Sequence, residues 1–460
     1  MGSLAGLLRE KGFEVRGSDQ NIYPPMSTEL EKLGLKLYAG YNGNNLNWNP
    51  DLVIVGNAVS KTNPEVEALL RLKIPYLSMP QALSQFFISG KKSIVVAGTH
   101  GKTTTSAIMA HLLYQLGEDP SFFVGGVSLN FEKNYRLGAG KYFVIEGDEY
   151  DTAFFDKGPK FLHYQPYHTL ITSVEFDHAD IYRDLEHVVS SFAKLVELIQ
   201  PEGTLTACSH YPRLTALLKK CRAKTQTYGL LENPNGVNPD WLAQNFSFKP
   251  ECTEFDILKN GKKETRLSSP LPGRHNILNV LACYAFLRHL GFESKKISDA
   301  LMSFKGVKRR QEIRGIVNDR IVMDDFAHHP TAVLETIDAV KKKYPHRPLW
   351  AIFEPRSNSS KRNIFQKDYA ESFSGADQVI LADVFMPSSV ADGHILNVEE
   401  VATELQKKGI PAEHISGVEN IVENVKKRVP PSAVILIMSN GGFGGIHSKL
   451  LEALKHDYGS

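Results

Sequence analysis

The stretch Ser93–Thr105, which reads S-I-V-V-A-G-T-H-G-K-T-T-T, decides how the chain is organised. Residues 93–97 are mostly apolar and β-branched, which predicts a short buried strand. A glycine-bounded turn follows, and residues 106–116 predict an amphipathic helix that ends at Gly117. A strand, a tight glycine turn and a Lys-Thr pair at a helix start favour phosphate binding, because backbone N–H groups and the positive helix end face the anion.

This turn predicts an ATP site. Lys102 is placed to reach the terminal phosphates, and the Thr103 hydroxyl is placed to bind Mg²⁺. The spacing departs from a standard Walker A motif, whose first glycine would fall at Val96 but falls here at Gly98. The alternative is a chance glycine turn, which the Lys-Thr pair disfavours. We therefore assign ATP binding to the residues of the turn and the first helical positions: Gly98, Thr99, His100, Gly101, Lys102, Thr103, Thr104 and Thr105.

Length and composition favour a multidomain globular protein. The 460 residues are enough for about two to four domains, and 42% of them are hydrophobic. The net charge of +2 gives no indication of a nucleic-acid partner. The four cysteines lack C-x-x-C spacing, which favours buried thiols in a reducing compartment. No apolar run reaches 18 residues and the N-terminus lacks a signal-peptide profile, so we expect a soluble cytoplasmic protein without membrane contact.

Three α/β units follow one another, and we expect domains at residues 1–88, 89–306 and 307–460. The first unit alternates helices and strands in the manner of a dinucleotide-binding domain. Ser18-Asp19 ends one of its strands, at the position where an acidic side chain of such a domain contacts a sugar hydroxyl. Its pattern begins inside the helix that would follow a first strand and glycine loop. We therefore expect that this strand is missing and that the reading frame extends about 10–15 residues upstream of Met1. Residues 230–272 predict an antiparallel excursion.

Acidic and imidazole side chains follow two predicted strands of the second unit. Glu146 leaves the strand at 142–145, where a Walker-B-type carboxylate would hold Mg²⁺. A solvated acidic turn at 146–149 is the plain alternative. His178 ends another strand in E-F-D-H-A-D, where it binds metal or phosphate or simply pairs with a nearby acid.

Further candidates lie at helix starts and at a domain junction. Asn276 and Asn279 suit an adenine edge, although N-cap duty would also explain Asn276. Arg310 either brings charge to the γ-phosphate on domain closure or forms a solvated linker pair with Arg309. The stretch D-D-F-A-H-H-P at 324–330 predicts orienting and proton-transfer roles, because adjacent histidines are poorly placed to share a metal.

Together these motifs resemble the Mur ligase family of ATP-dependent amide-forming enzymes. G-T-H-G-K-T-T-T, E-G-D-E-Y-D, E-F-D-H-A-D, G-R-H-N-I-L-N, D-D-F-A-H-H-P-T-A and a closing glycine loop occur in family order over nearly the whole chain. The resemblance implies a three-domain α/β fold. A Rossmann-like N-terminal domain would bind UDP-N-acetylmuramate, a central P-loop-type domain would bind ATP, and a C-terminal dinucleotide-binding-type domain would receive a peptide.

The resemblance also implies the reaction. The muramoyl carboxylate attacks the γ-phosphate, and an amine captures the resulting acyl phosphate. Strings such as S-D-Q-N-I-Y-P-P-M-S (18–27) and E-P-R-S-N (354–358) favour the recycled tripeptide L-Ala-γ-D-Glu-meso-diaminopimelate as that amine, and hence peptidoglycan recycling. The alternatives are L-alanine, as in de novo peptidoglycan synthesis, a truncated non-catalytic ATP-binding protein, and a generic P-loop kinase or GTPase, which the loop spacing disfavours. We expect a monomer or weak homodimer.

Carried onto this sequence, the resemblance implies residue roles. Lys102 binds phosphates, Thr103 and Glu146 hold one Mg²⁺, and His178 holds a second. The expected catalytic residues are Lys102, His178, Asp325, His328 and His329. Substrate binding falls to Ser18, Asp19 and Asn57 for the UDP-sugar, and to Arg356, Ser357, Asn440 and Gly441 for the peptide. The planar guanidinium of Arg356 matches a peptide carboxylate.

Overall fold

The first unit carries two pairs of parallel strands, β1 with β2 and β3 with β4, which are separate sheets among the described residues. This computed structural model describes residues 1–22, 26–231, 236, 238–386 and 394–455. The expected string at 18–27 therefore lies partly outside the described residues, at 23–25. The elements of this unit are α1 (Gly2–Glu10), β1 (Arg16–Asp19), α2 (Met26–Lys32), β2 (Lys36–Ala39), β3 (Val53–Val55), α3 (Pro64–Leu72), β4 (Tyr76–Ser78) and α4 (Met79–Leu83).

The second unit is built on one large sheet. Its first elements are β5 (Lys92–Ala97), α5 (Lys102–Gln115), β6 (Ser121–Ser128), β7 (Lys133–Arg136), β8 (Tyr142–Gly147), β9 (Asp151–Ala153), β10 (Asp156–Pro159), β11 (His168–Ile171) and α6 (Leu185–Leu198). They are followed by β12 (Thr204–Cys208), α7 (Pro212–Leu217), β13 (Lys224–Leu230), β14 (Trp241–Phe248), β15 (Thr253–Lys259), β16 (Lys262–Ser269), α8 (Arg274–His289) and α9 (Ser294–Met302).

Strand β5 lies inside this ten-stranded sheet, whose order is β16-β15-β14-β13-β12-β11-β5-β8-β6-β7. It pairs in parallel with β11 on one side and β8 on the other. Residues 93–97 are buried, as their apolar sequence predicts. The carboxyl ends of β5, β8 and β11 therefore meet at one edge of the sheet. The predicted ATP-binding turn, residues 98–105, is called the phosphate loop below. It leaves the sheet between two strands that end in acidic segments.

The excursion expected at 230–272 is confirmed, and it extends the same sheet. Strands β14, β15 and β16 pair antiparallel with one another, while β14 joins β13 in parallel. Trp241 at the start of β14 is buried against Tyr284 of α8, with the two rings crossing edge to face at 5.8 Å. This end of the sheet is thus fixed to the helix that carries Asn276 and Asn279.

The third unit forms a six-stranded sheet with order β17-β18-β22-β19-β20-β21. Its core lies on both faces, with Met323 and Ala351 in one cluster and Val322 and Ile352 in the other. The elements are β17 (Glu312–Val317), β18 (Arg320–Asp325), α10 (Pro330–Lys343), β19 (Leu349–Phe353), α11 (Gln366–Ser372), β20 (Gln378–Leu381), α12 (Val398–Lys407), β21 (Ala412–His414), α13 (Val418–Arg428), β22 (Val434–Met438) and α14 (Ile446–Lys455).

Helix α1 connects the first unit to the second. Its apolar residues Leu4 and Leu7 are fully buried in the same hydrophobic cluster as the phosphate-loop strand. The Ser3 hydroxyl donates to the Asn134 side-chain oxygen beside β7 at 2.9 Å. The expected sugar-binding unit is therefore held directly against the sheet that carries the phosphate loop.

Candidate active site

The phosphate loop needs both of its glycines. Gly98 and Gly101 have φ values of +135° and +79°, which side chains rarely adopt. A Cβ on Gly98 would lie 2.2 Å from the Thr172 hydroxyl, and a Cβ on Gly101 would lie 2.5 Å from Asn279 Oδ1. The loop is therefore packed between β11 and α8, which sets where the N-terminus of α5 points.

Lys102 lies under this loop in a largely buried position. Its ammonium donates to the carbonyl oxygens of Gly98 at 2.6 Å and Thr99 at 3.2 Å. It also forms an ion pair with Glu149, 2.9 Å from Oε2. Burial opposes the charge, but Glu149 and two further carboxylates outweigh burial and raise the pKa of Lys102. The cation is thus fixed beside the phosphate loop.

Thr103 and Glu146 are in direct contact. The Thr103 hydroxyl donates to Glu146 Oε1 at 3.0 Å, and the Gly125 N–H donates to Oε2 at 2.7 Å. A hydroxyl and a carboxylate are ligands that Mg²⁺ accepts, so this pair fits the expected ion. Arg310 reaches the same point from the junction with the third unit, because its Nη2 donates to the Thr103 hydroxyl at 3.2 Å.

His178 lies next to the same acidic turn. Its Nε2 is 3.5 Å from Glu149 Oε1, and its ring lies 4.1 Å from the Tyr150 ring. Burial lowers the pKa of His178, but Glu149 and Asp177 outweigh burial and raise it. The backbone has a positive φ of 54°, which is uncommon outside glycine and turns the ring toward these acids.

Asn276 and Asn279 are buried and bonded to the protein. Asn279 Oδ1 accepts from the Thr105 hydroxyl at 3.1 Å, and its Nδ2 donates to Asn276 Oδ1 at 3.2 Å. Asn276 Nδ2 donates in turn to the Pro272 carbonyl oxygen at 2.7 Å. The pair connects α8 to α5, and both residues also line the cavity described below.

The two adjacent histidines after β18 face different surroundings. His328 lines the cavity, and its Nε2 lies 3.9 Å from Asp177 Oδ2. His329 caps α10 by accepting the Thr331 N–H at 3.3 Å, and its Nε2 donates to the Phe176 carbonyl oxygen at 3.2 Å. Burial lowers the pKa of both imidazoles, to about 4 for His329. Of the two, only His328 is among the cavity-lining residues.

Asp325 also lines this cavity. Its carboxylate accepts the backbone N–H groups of Gln311 at 2.8 Å and Ala327 at 2.7 Å. Burial raises its pKa despite the opposing charge of Arg310. The hydrogen bond from Gln311 fixes the junction between the second and third units. The hydrogen bond from Ala327 fixes the turn that leads to His328.

The expected peptide-binding residues lie together in the third unit. The Arg356 guanidinium stacks 3.6 Å from the Phe385 ring centroid, with Nη1 3.6 Å from Glu354 Oε1. A Cβ on Gly441 would collide with it at 2.0 Å. Asn440 Oδ1 is shielded from solvent and has no hydrogen-bond partner among the described residues. Ser357 bonds locally, donating to the Ser360 hydroxyl at 2.9 Å.

The expected UDP-sugar residues lie at strand ends of the first unit. The Ser18 hydroxyl donates to Glu65 Oε2 at 2.6 Å, and Asp19 Oδ1 accepts the Asn21 N–H at 3.1 Å. Asn57 is exposed just after β3. All three lie outside the set of residues that line the central cavity.

A cavity of about 1670 Å³ joins these elements. Gly2 and Ser3 line it from the first unit. The second unit contributes the phosphate loop, Glu146 and His178. The third unit and its junction add Arg309, Arg310, Asp325 and His328. Arg309 also donates to the Gly441 carbonyl oxygen at 2.7 Å, which places the closing glycine loop next to this wall.

Several residues of the site were not assigned from sequence. Glu149 neutralises Lys102, and Asp148 forms a 2.5 Å ion pair with Lys160. Glu175, which follows β11, accepts the Tyr211 hydroxyl at 3.1 Å and lies 3.4 Å from His100 Nε2. Burial opposes its charge, but the hydrogen bond from His100 outweighs burial and lowers the pKa of Glu175 to about 2. Its position at a strand end was the one available signal.

Comparison with known proteins identifies the family. Residues 1–90 match the model described as "Mur ligase family, catalytic domain", residues 96–287 match "Mur ligase middle domain", and residues 309–441 match "Mur ligase, glutamate ligase domain". The chain belongs to the Mur ligase family. It is an ATP-dependent ligase that forms amide bonds, as the sequence predicts.

Individual relatives cover almost the whole of this Mur ligase. It is 42% identical to the UDP-N-acetylmuramate–L-alanyl-γ-D-glutamyl-meso-2,6-diaminoheptandioate ligase of Escherichia coli over 99% of this chain and 96% of that protein. It is 33% identical to the UDP-N-acetylmuramate–L-alanine ligase of Clostridium tetani over 96% of this chain and 93% of that one. The solved murein peptide ligase of Psychrobacter arcticus is 37% identical, with a TM-score of 0.71, over 99% and 96% of the two chains.

These relatives agree with the predicted three-domain α/β fold and with the resemblance to Mur ligases, both of which are confirmed. Within the described part of the chain, no helix combines the length and the apolar character needed to span a bilayer.

Proposed function

We propose that this Mur ligase joins UDP-N-acetylmuramate to the tripeptide L-Ala-γ-D-Glu-meso-diaminopimelate, with hydrolysis of ATP to ADP and phosphate, in peptidoglycan recycling. The observation that carries the proposal is a cavity onto which the phosphate loop, an acidic strand end and residues of all three units converge. Such convergence suits a reaction that must bring a triphosphate, a carboxylate and an amine together.

The phosphate end of the cavity supports ATP binding by the loop Gly98 to Thr105. Free N–H groups at the start of α5 and the fixed ammonium of Lys102 provide positive potential for the phosphates. Thr103 and Glu146 would hold Mg²⁺, with His178 and Glu149 available to a second ion. When bound, Mg²⁺ neutralises phosphate charge. Asn276 and Asn279 line the same cavity, and we propose that they lie near the adenine.

The chemistry proceeds in two displacements. A muramoyl carboxylate oxygen bonds to the γ-phosphorus while the bond from phosphorus to the β,γ-bridging oxygen breaks, which gives an acyl phosphate and ADP. The amine nitrogen then bonds to the acyl carbon, the carbon–oxygen bond to phosphate breaks, and the nitrogen loses a proton. Arg310 at Thr103 would stabilise the negative charge that develops on the transferred group.

His328 is our proposed proton acceptor. Its Nδ1 donates to the Phe326 carbonyl oxygen at 3.0 Å, which leaves the lone pair on Nε2 toward the cavity side. Because burial lowers its pKa, the imidazole is neutral near pH 7. Asp325 fixes the turn that carries His328 through the Ala327 N–H. His329, bonded to the Phe176 carbonyl oxygen, would support this turn from behind.

The tripeptide is favoured over L-alanine by the relatives and by the third unit. The Escherichia coli relative, whose name contains the tripeptide, is 42% identical, against 33% for the Clostridium tetani L-alanine ligase. Arg356, stacked on Phe385, would offer its guanidinium to a peptide carboxylate. Ser18, Asp19 and Asn57 are proposed to contact the UDP-sugar.

We propose a monomer or weak homodimer. We place the enzyme in the cytoplasm, where ATP and UDP-linked sugars are available. The domain limits 1–88, 89–306 and 307–460 are proposed as the functional division.

A phosphate-release assay with UDP-N-acetylmuramate tests this proposal. We expect ATP- and Mg²⁺-dependent release with the tripeptide and little with L-alanine. Comparable or faster turnover with L-alanine would assign the enzyme to de novo synthesis. Failure to bind UDP-N-acetylmuramate in equilibrium dialysis, with ATP binding retained, would instead support a non-catalytic ATP-binding protein.

A further inference from the structure

Two histidines and a glutamate from different units meet beside the phosphate loop, in an arrangement that the reaction above does not use. The imidazoles of His100 and His329 lie with their ring centroids 4.7 Å apart. Glu175 Oε2 is 3.4 Å from His100 Nε2 and 4.0 Å from His329 Nδ1. One ligand atom from each residue lies within 4.8 Å of the others. We propose that His100, Glu175 and His329 form a binding site for a divalent transition-metal ion such as Zn²⁺.

The spacing suits such an ion. Zn²⁺ binds imidazole nitrogen and carboxylate oxygen at about 2.0–2.2 Å, so ligand atoms around a tetrahedral ion lie about 3.4 Å apart. The ligand atoms lie within 4.8 Å of one another, with 3.4 Å and 4.0 Å to Glu175, so side-chain rotations would draw them together. On binding, His100 Nε2 releases the proton that it donates to Glu175. Two imidazoles and one carboxylate select zinc-like ions, because Mg²⁺ prefers an all-oxygen shell that keeps several waters.

The surroundings already orient two of the ligands. His329 Nε2 faces the Phe176 carbonyl oxygen, which can only accept, so this nitrogen carries the proton and Nδ1 presents its lone pair. The Thr331 N–H that Nδ1 accepts is 3.3 Å away, a long bond that an ion would replace. The Glu175 carboxylate is held by the Tyr211 hydroxyl at 3.1 Å and the Thr331 hydroxyl at 2.8 Å. Carbonyl and hydroxyl partners of this kind fix ligands in metal sites.

The proposed site connects two units of the chain. His100 belongs to the phosphate loop and Glu175 follows β11, whereas His329 begins α10 in the third unit. A bound ion would therefore hold the third unit against the phosphate loop. The neighbouring His328 does not take part, since its Nε2 faces Asp177 instead. This accounts for two adjacent histidines without asking both to bind one ion.

Zinc titration of the metal-free, full-length protein in excess Mg²⁺ tests the site. Magnesium occupies oxygen-ligand sites and leaves imidazoles free. We expect one Zn²⁺ per chain by calorimetry, and Co²⁺ should give the strong visible absorption of a four- or five-coordinate site. His329→Asn keeps an N-cap residue for α10 while removing the imidazole. This variant and His100→Gln should each weaken zinc binding by at least about tenfold.

Two control variants distinguish this site from zinc binding by histidines elsewhere in the chain. His289→Gln replaces a histidine at the far end of α8 and should bind zinc as the unchanged protein does. His178→Gln changes a side chain that lies beside the acidic turn at 146–149, and this variant should also retain zinc. The proposal is overturned if zinc binding is absent, if Co²⁺ gives only the weak octahedral spectrum, or if binding survives in His329→Asn and His100→Gln. Loss of zinc in His178→Gln would place the ion at the magnesium ligands and overturn it as well.

Discussion

Lys102 shows how one residue couples stability to activity. Its ammonium is paired with the buried Glu149, so Lys102→Met removes the proposed phosphate contact and also leaves a buried carboxylate without its cation. We expect kcat to fall by about 10²–10³-fold and the unfolding midpoint to fall as well. The double variant Lys102→Met/Glu149→Gln should recover stability but not turnover. Equal activity of the double variant and the unchanged enzyme, in the phosphate-release assay, would refute the role of Lys102.

Gly101 allows a matched test of backbone strain against steric collision. Gly101 and Gly117 both have positive φ, 79° and 85°, but only a Cβ at Gly101 would meet a neighbour, Asn279 Oδ1 at 2.5 Å. Each Gly→Ala change should cost about 1–2 kcal/mol in the free energy of unfolding from the backbone alone. Gly101→Ala should lose more than Gly117→Ala and should also raise KM for ATP. Identical behaviour of the two variants in urea unfolding and ATP kinetics would contradict this account.

At the residue scale, the sequence predicted contacts between recognisable motifs better than contacts of single acids within an acidic turn. Thr103 and Glu146 were expected to share an ion because loop and strand end carry recognisable patterns, and their side chains are in contact. The partnership of Lys102 with Glu149 could not be predicted, because nothing local distinguishes Glu149 from the other acids of that turn. The expectation that His329 faces the reacting centre stays a prediction, and in the structure its Nε2 donates to the Phe176 carbonyl oxygen. Chain direction after β18 does not determine which of two adjacent side chains faces the cavity.

Strand β11 carries a buried histidine that should make the central sheet sensitive to acid. His168 accepts or donates a 2.9 Å hydrogen bond with the Thr204 hydroxyl, and burial lowers its pKa to about 3. An unfolded histidine titrates near 6.5, so between about pH 6.5 and 3 the unfolded chain binds a proton that the folded chain does not. The stability contributed by neutral His168 is therefore complete above that window and is lost as pH falls, by about 1.4 kcal/mol per pH unit.

Scanning calorimetry at pH 7 and pH 5 checks this prediction. The drop in unfolding midpoint between these pH values should be smaller in His168→Gln than in the unchanged protein. His346→Gln, at an exposed position, is the control and should leave the drop unaltered. An equal drop in all three proteins would show that His168 does not couple the sheet to pH.

At the element scale, several buried strands were predicted well, but the fully buried strand β12 and the edge strand β17 were missed. The apolar run at 349–353 and the strand of the phosphate loop were placed to within one residue, because full burial requires continuous apolar sequence. The edge strand β17 was not anticipated, and two of its apolar side chains, Ile313 and Ile316, are 44% and 62% exposed. An exposed edge has no fixed alternation of apolar and polar residues, so periodicity gives no signal there.

Arg310 forms one of the contacts between the second and third units of the molecule. It belongs to the junction before β17 but donates to Thr103 on the phosphate loop at 3.2 Å. We expect Arg310→Ala to lower kcat by about 10²-fold while leaving the affinity for UDP-N-acetylmuramate unchanged, because the sugar site is expected in another unit. Arg314→Ala, which alters a more exposed arginine near Asp324, serves as the control. A change confined to KM for the UDP-sugar would contradict the role of Arg310.

At the scale of the molecule, the motif order predicted three units but not their contacts. The approach of Arg310 to the ATP-binding turn was one of two alternatives left open by the sequence, and in the structure Arg310 contacts Thr103. The burial of Leu4 and Leu7 in the core of the second unit depends on how separate sheets pack. Local sequence patterns do not predict such packing, because they specify the helix or strand that a residue forms and not the unit against which that element packs. The cavity that joins the units therefore emerges only from the structure.

The product formed from competing amines tests the central claim most directly. The purified enzyme is given ATP, Mg²⁺, UDP-N-acetylmuramate and equal amounts of the tripeptide and L-alanine, and the nucleotide-linked products are identified by mass spectrometry. We predict that the tripeptide adduct dominates and that its formation requires ATP. A product consisting mainly of UDP-N-acetylmuramoyl-L-alanine would contradict the account.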